Sequence, residues 1–132
     1  VAGATHYLEE QVLNALLRSA AAYKPAAIYV VLFFAAPSDA GGGTEVSGGN
    51  YAPQQVVQAD ANWAAPSGDP RTTSNVNVIE WASVTWSGTV NAWGLRDGVA
   101  GNLLWWKAAA NTVQVGDTMR FNAGALSVQG GP

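Results

Sequence analysis

Residues 28–34, Ile-Tyr-Val-Val-Leu-Phe-Phe, constrain this chain more than any other stretch. They are β-branched or aromatic throughout, which predicts a strand. Side chains alternate between faces along a strand, so Ile28, Val30, Leu32 and Phe34 share one face and Tyr29, Val31 and Phe33 the other. A strand wetted on one side alternates apolar with polar. This one is apolar on both faces, so both must be covered. A polar loop follows. Pro37-Ser38-Asp39 stops the strand, and Gly41-Gly42-Gly43 and Gly48-Gly49 allow backbone angles that other residues avoid. A stiff central strand feeding a long shaped loop suits a scaffold that presents a contact surface. The loop is expected to be removable, from Gly42 to Gly48, without loss of the monomer fold.

The rest of the chain supplies the cover. Residues 5–19 predict an amphipathic helix. The Thr5 hydroxyl is placed to cap it, with Glu9 and Glu10 near its start and Arg18 near its end. Leu8, Val12 and Leu16 form one i, i+4 row, and Leu13 and Leu17 an adjacent one. The expected place for this face, Leu13 and Leu16 included, is across the Ile28–Phe34 strand. Pro25 blocks any continuation of the helix.

Short strands follow at regular spacing: near 51–59, 75–86, 88–96 and 103–109, a hairpin of 113–115 with 119–121, and a closing strand at 126–128. Pro53 lacks an amide donor, which puts the first of these at a sheet edge or bulge. Residues 60–73 read as a long loop. On the 75–86 strand, Trp81 and Trp86 should face opposite ways, and on the next strand Val90 and Ala92 should lie opposite Trp93 and Leu95. The pattern predicts a mainly β protein: an N-terminal helix packed on a β-sandwich or open barrel of about seven or eight strands. A single domain is expected over 1–132, with the sandwich at 27–129 and long loops at 36–50 and 60–73; 132 residues suffice for a sizeable core.

Charged residues are 11% of the chain against 48% hydrophobic, and a surface so poor in charge suits a protein that lives against other protein. The net charge of −3 and six scattered basic residues argue against nucleic-acid binding. No apolar run is long enough to cross a bilayer as a helix, and Val1-Ala2-Gly3-Ala4 has no basic flank or signal-peptide core. No membrane partner is expected. With no cysteine, thiolate chemistry and disulfides are excluded.

Few residues suggest catalysis. Gly43 to Gly48 has the spacing of a phosphate loop, but Gly49-Asn50 stands where lysine and a hydroxyl residue are needed. His6 is the sole histidine, so it has no second histidine for zinc and no legible triad. Asp39, Glu45, Asp60 and Asp69 sit in loops, where carboxylates mostly form turns. Their spacing is not that of a calcium loop. Neither cofactor nor metal nor enzyme activity is expected.

Six tryptophans carry more information. Trp105 and Trp106 are neighbours on a strand and must face opposite sides. One fits the sandwich core, and the other needs the helix, a loop or a partner chain. Trp63 in its polar loop is either a plug or an anchor offered to a partner. A solvent-facing row of tryptophans would instead suit stacking on sugars.

Three segments also carry a family likeness: APSDAGGGTEVSGGNYAPQ from Ala36, VNAWGLRDGVAGNLLWW from Val90 and VGDTMRFNAGALSV from Val115. They resemble small structural proteins of tailed bacteriophages, a group that includes capsid cement or decoration proteins and tail-fibre proteins. The chain departs from that pattern at Pro53, and 62–71 reads as an insertion. The resemblance implies a virion structural protein. The short, sparsely charged chain, with no coiled-coil or repeat shaft, favours capsid cement at the shell surface over a tail or tail-fibre part. A carbohydrate-binding module is the further alternative. Expected partners are the major capsid protein or tail subunits and further copies of the chain, three in the first instance. The expected contact residues are Gly42, Gly43, Thr44, Glu45, Val46, Tyr51, Trp63, Trp105 and Trp106.

Overall fold

The structure, a computed structural model, describes residues 2–130. The expected domain limits at Val1 and Pro132 lie outside them. It is mainly β with one helix. In chain order the elements are β1 (Gly3–Ala4), α1 (His6–Leu17), β2 (Tyr29–Ala35), β3 (Thr44–Glu45), β4 (Gln54–Gln55) and β5 (Thr72–Ser74). There follow β6 (Ile79–Trp81), β7 (Gly88–Arg96), β8 (Leu103–Val113), β9 (Met119–Phe121) and β10 (Ser127–Gln129). Ten strands are described rather than seven or eight, because several loops contribute short paired segments.

The strand predicted as central is central. The main sheet runs β1-β8-β7-β2-β3, all antiparallel, and β4 pairs with the other end of the same β2 edge. The expected strand near 51–59 shrinks to the two residues of β4 at that edge, in keeping with Pro53. Both faces of β2 are buried, but by different means. The inner face, with Ile28, Val30 and Leu32, joins Trp93, Leu95 and Leu104 and meets a second layer. The outer face buries Val31, Phe33 and Ala92 beneath Leu103 and Trp106. Arg96 also lies over the Phe33 ring, 5.6 Å from its centroid. Gly94 makes this tight outer patch possible: a Cβ there would stand 2.6 Å from Leu103 Cδ1 and 3.1 Å from Phe33.

Two register shifts between β7 and β8 decide which side chains share a face. Leu95 lies opposite Trp105 but Arg96 lies opposite Leu103, so Leu104 is an extra residue. Leu104 and Trp105 therefore both turn inward, while Leu103 and Trp106 belong to the outer cluster. The shift between Val90 and Ala92 corrects the expected facing of β7. Val90 joins Trp93 and Leu95 in the inner core, and only Ala92 faces outward.

The second layer is made of two small antiparallel pairs, β10-β5 and β6-β9. β9 thus pairs with β6, not in the expected hairpin with 113–115. Strand structure in 75–86 is confined to 79–81, and Ser83 adopts a φ of 46°, which breaks the alternation. Trp81 and Trp86 consequently face the same core rather than opposite sides. A run of aromatic contacts ties the layers together: Phe34–Trp86, Trp86–Tyr51, Tyr51–Trp81, Trp81–Phe121 and Phe121–Trp93, with centroids 5.9–6.5 Å apart. Such pairs contribute about 0.5–1.5 kcal/mol each beyond their area.

Asn75 pins the second layer. It is 2% exposed, and its amide donates to the carbonyls of Asn77 (2.8 Å) and Asn122 (3.0 Å) while accepting from Leu126 N–H (2.9 Å). The ends of the described chain meet close by. Ala2 N–H donates to Ser127 O, and Gln129 N–H donates to Ala2 O.

The helix begins as predicted. Thr5 is its N-cap, accepting from Leu8 N–H, and the Thr5 hydroxyl donates to Leu103 O at 2.6 Å. Its packing corrects the expectation. Only the first turn, through Tyr7 and Leu8, reaches the core, and the helix has no buried residue. Leu13 and Leu16 do not pack on the β2 face; they are 55% and 75% exposed. The cap ties the helix to the edge of β8, and the chain then swings back through Tyr23, whose ring meets Tyr7 edge-on. The helix is held at its start and stands off the sheet beyond it.

Candidate functional site

The glycine loop is less free than its composition suggests. Thr44 and Glu45 form β3, and Val46 is buried with its N–H bonded to Leu32 O at 2.9 Å. The Glu45 carboxylate pairs with Arg96 and accepts from the Tyr51 hydroxyl at 2.8 Å. That hydroxyl accepts in turn from Leu32 N–H at 3.1 Å. Burial pushes the Tyr51 hydroxyl well above its ordinary pKa; the Leu32 bond offsets part of this and the Glu45 carboxylate adds to it. Gly43 has a φ of +78°, and a Cβ there would lie 2.8 Å from Ala35 O and Pro37 N. Gly42 and Thr44 are exposed. The expectation that Gly42 to Gly48 can be removed with the fold intact is therefore corrected: this segment supplies a core valine and one half of a half-buried ion pair.

Of the tryptophans, Trp81, Trp86 and Trp93 are buried, and Trp63, Trp105 and Trp106 are partly exposed. Trp106 lies on the outer face with its indole N–H on Asp39 Oδ1 at 2.9 Å. Trp105 lies on the inner side with its N–H on Gln129 O at 3.0 Å. The pair divides between faces as strand geometry requires. Trp63 is held in its loop by a backbone bridge to Asn75 and by its backbone N–H, which donates to Ala59 O.

Trp63 and Trp105 meet at a feature that the sequence did not reveal. Because the helix stands off the sheet, an open groove of about 620 Å³ runs between α1 and the 58–73 segment. Its lining includes Leu8, Val12, Ile28, Leu104, Trp63 and Trp105, and no carboxylate among the described residues. Polar groups are few, chiefly Gln11, Gln58 and Arg71. Tyr23 closes one part of it, donating its hydroxyl to Asp97 at 2.6 Å. Burial would lift the Asp97 carboxyl, but bonds from Tyr23 and from the Asn102 side chain and backbone outweigh it and hold it below its ordinary value. In the groove wall the helix exposes Val12 and Leu16, at 45% and 75%, and next to them Leu13 and Leu17, at 55% and 79%. One signal was available: the two leucine rows on α1 make an apolar arc wider than one neighbour covers.

Such a surface suits apolar side chains better than sugars or ions, which need convergent polar groups. His6 is exposed at the start of the helix. Among the described residues no three His, Cys, Asp or Glu side chains converge as a metal site. The expected contact residues do not form one surface. Trp63 and Trp105 belong to the groove, Trp106 to the outer face, and the glycine loop to the β3 edge.

Residues 3–129 match the family described as Podophage GP4 fiber I protein gp80. The chain belongs to that family. It is a structural protein of tailed bacteriophages, and its place is the virion. No curated protein matches it. The fibre description moves the reading away from a shell-decorating cement protein, favoured on chain length and charge, and toward the tail alternative.

Proposed function

We propose that this chain is a non-enzymatic, single-domain building block of a tail fibre, present in several copies and joined to neighbouring tail subunits through apolar surface. The observation that carries this reading is the helix, whose leucines lie open beside an apolar groove; the fibre family supports it. Monomeric proteins seldom leave such contiguous apolar surface without a partner. Trp63 and Trp105 at the groove, Trp106 on the outer face, and Gly42, Gly43 and Thr44 at the loop are the contact points in this proposal. Glu45, Val46 and Tyr51 act from behind, holding the loop in shape.

Repetition suits this arrangement, because many modest contacts add up when each copy is already held near its neighbours. Gold-labelled antibody against the chain, viewed on virions by electron microscopy, tests the placement. Label on fibres at the tail is the expected result. Label spread over the shell would overturn it.

A further inference from the structure

The helix carries more apolar surface than its own body can cover. Leu8, Val12, Ala15 and Leu16 line the groove. Leu13 and Leu17 follow Val12 and Leu16 by one residue each, about 100° further round the helix. They form a second row one turn apart, 55% and 79% exposed. An amphipathic helix in a globular protein offers one stripe to one neighbour. This one offers two, and twelve residues are too few to hold a helix in water without packing.

The two apolar features differ in form. The groove is concave and open, while the Leu13–Leu17 row is a convex ridge on the outer side of the same helix. The groove wall carries one cation, Arg71, and two exposed carboxylates, Glu9 and Glu10, stand four and three residues before Leu13, on the turn next to the ridge. The acidic flank of the ridge in one copy matches the Arg71 of the groove in another, so the two features agree in charge as well as in apolar character. Of the exposed helix residues only Leu13 and Leu17 form the ridge, and they present roughly 250 Å² between them, a little under a monomer's usual largest patch. One ridge in one groove is well short of the ~800 Å² per partner of a standard interface, so repetition along many copies is what makes such contacts hold.

We infer that the ridge formed by Leu13 and Leu17 of one copy seats in the groove of a second copy. Ridge and groove lie on different sides of one helix, and the contact inferred is head-to-tail: each copy gives its ridge to one neighbour and its groove to another. Such a contact closes into a ring or continues as a filament. This deepens the fibre reading, and rests on it only for the expectation of many copies.

The experiment uses the full chain and two variants. Leu13→Glu with Leu17→Glu spoils the ridge. Ala15→Arg places a charge in the groove and retains good helix propensity. Light scattering after size exclusion should show association of the parent. Each variant alone should weaken self-association by at least about a hundredfold. Circular dichroism and tryptophan fluorescence check that each variant remains folded. The distinctive result is complementation. The ridge variant keeps its groove and the groove variant keeps its ridge, so a mixture should form a one-to-one dimer that neither forms alone.

A parent that stays monomeric at high concentration overturns the inference. So does a ridge variant that associates like the parent, or a mixture that stays monomeric while the parent assembles. Fibre labelling on virions is independent of all three results, so the two readings can fail separately.

Discussion

Asn75→Asp changes one buried NH2 group to oxygen and leaves the shape of the side chain intact. In the parent that NH2 donates to the carbonyls of Asn77 and Asn122, while the amide oxygen accepts from Leu126 N–H. A carboxylate keeps the last bond and sets its negative charge against two carbonyl oxygens. With the residue 2% exposed, the folded state must bind a proton to relieve this. Each unit by which the pKa is lifted above that of an unfolded aspartate costs about 1.4 kcal/mol at neutral pH. A lift of about two units costs ~3 kcal/mol. The protonated acid can donate to only one of the two carbonyls, which adds about 1 kcal/mol. The sum is near 4 kcal/mol, or about 10–15 °C in melting temperature for a chain of this size. Thermal melting followed by tryptophan fluorescence reads it. The folded pKa is raised, so the penalty grows as pH rises from about 4 toward neutrality and is smallest in acid. A variant melting within about 2 °C of the parent at pH 7, or a deficit the same at pH 4 and pH 7, would refute the reasoning.

Two further outcomes are expected. Leu104→Ala, at a fully buried position, should cost about 2–5 kcal/mol, whereas Leu16→Ala should cost under about 0.5 kcal/mol at dilutions where the chain is monomeric; urea unfolding of both compares them directly. The folded pKa of Tyr51 is raised above its ordinary 10.0, so its contribution is complete below about pH 10 and is lost as the unfolded chain ionises above it. Tyr51→Phe should therefore flatten the alkaline decline of stability by up to about 1.4 kcal/mol per pH unit, and an unchanged decline in alkaline urea titrations would contradict this.

The sequence showed best what depends on local pattern. The apolar run at 28–34 marked the central strand, β7 starts and ends where its residues suggested, and Thr5 caps the helix. What it missed depends on contacts made across the fold. Two apolar rows on α1 say that cover is needed, not what provides it, and here the chain's own sheet provides little. Simple alternation assigned Val90 and Trp86 to the wrong sides, because register shifts against β8 and the turn at Ser83 reverse the count. Glycines at 41–49 suggested freedom, but the loop is held by Val46 and Glu45, single residues whose partners lie far away in sequence. The groove was invisible for the same reason: Trp63, Leu104 and the helix come together only in three dimensions.

The meeting of the chain ends has a consequence for how the protein opens. Ala2 is held by backbone bonds to Ser127 and Gln129, and two residues later the chain pairs with Trp105 before Thr5 caps the helix. Fraying of β10 therefore removes the support of β1, and loss of β1 loosens the cap that anchors α1. First and last elements behave as one cooperative unit, closed like a clasp. Amide protons of α1, β1 and β10 should exchange together with solvent, at a lower opening cost than those of β2 and β7. In an assembly, a neighbour that grips the helix holds that clasp shut, and so steadies both ends of the chain at once.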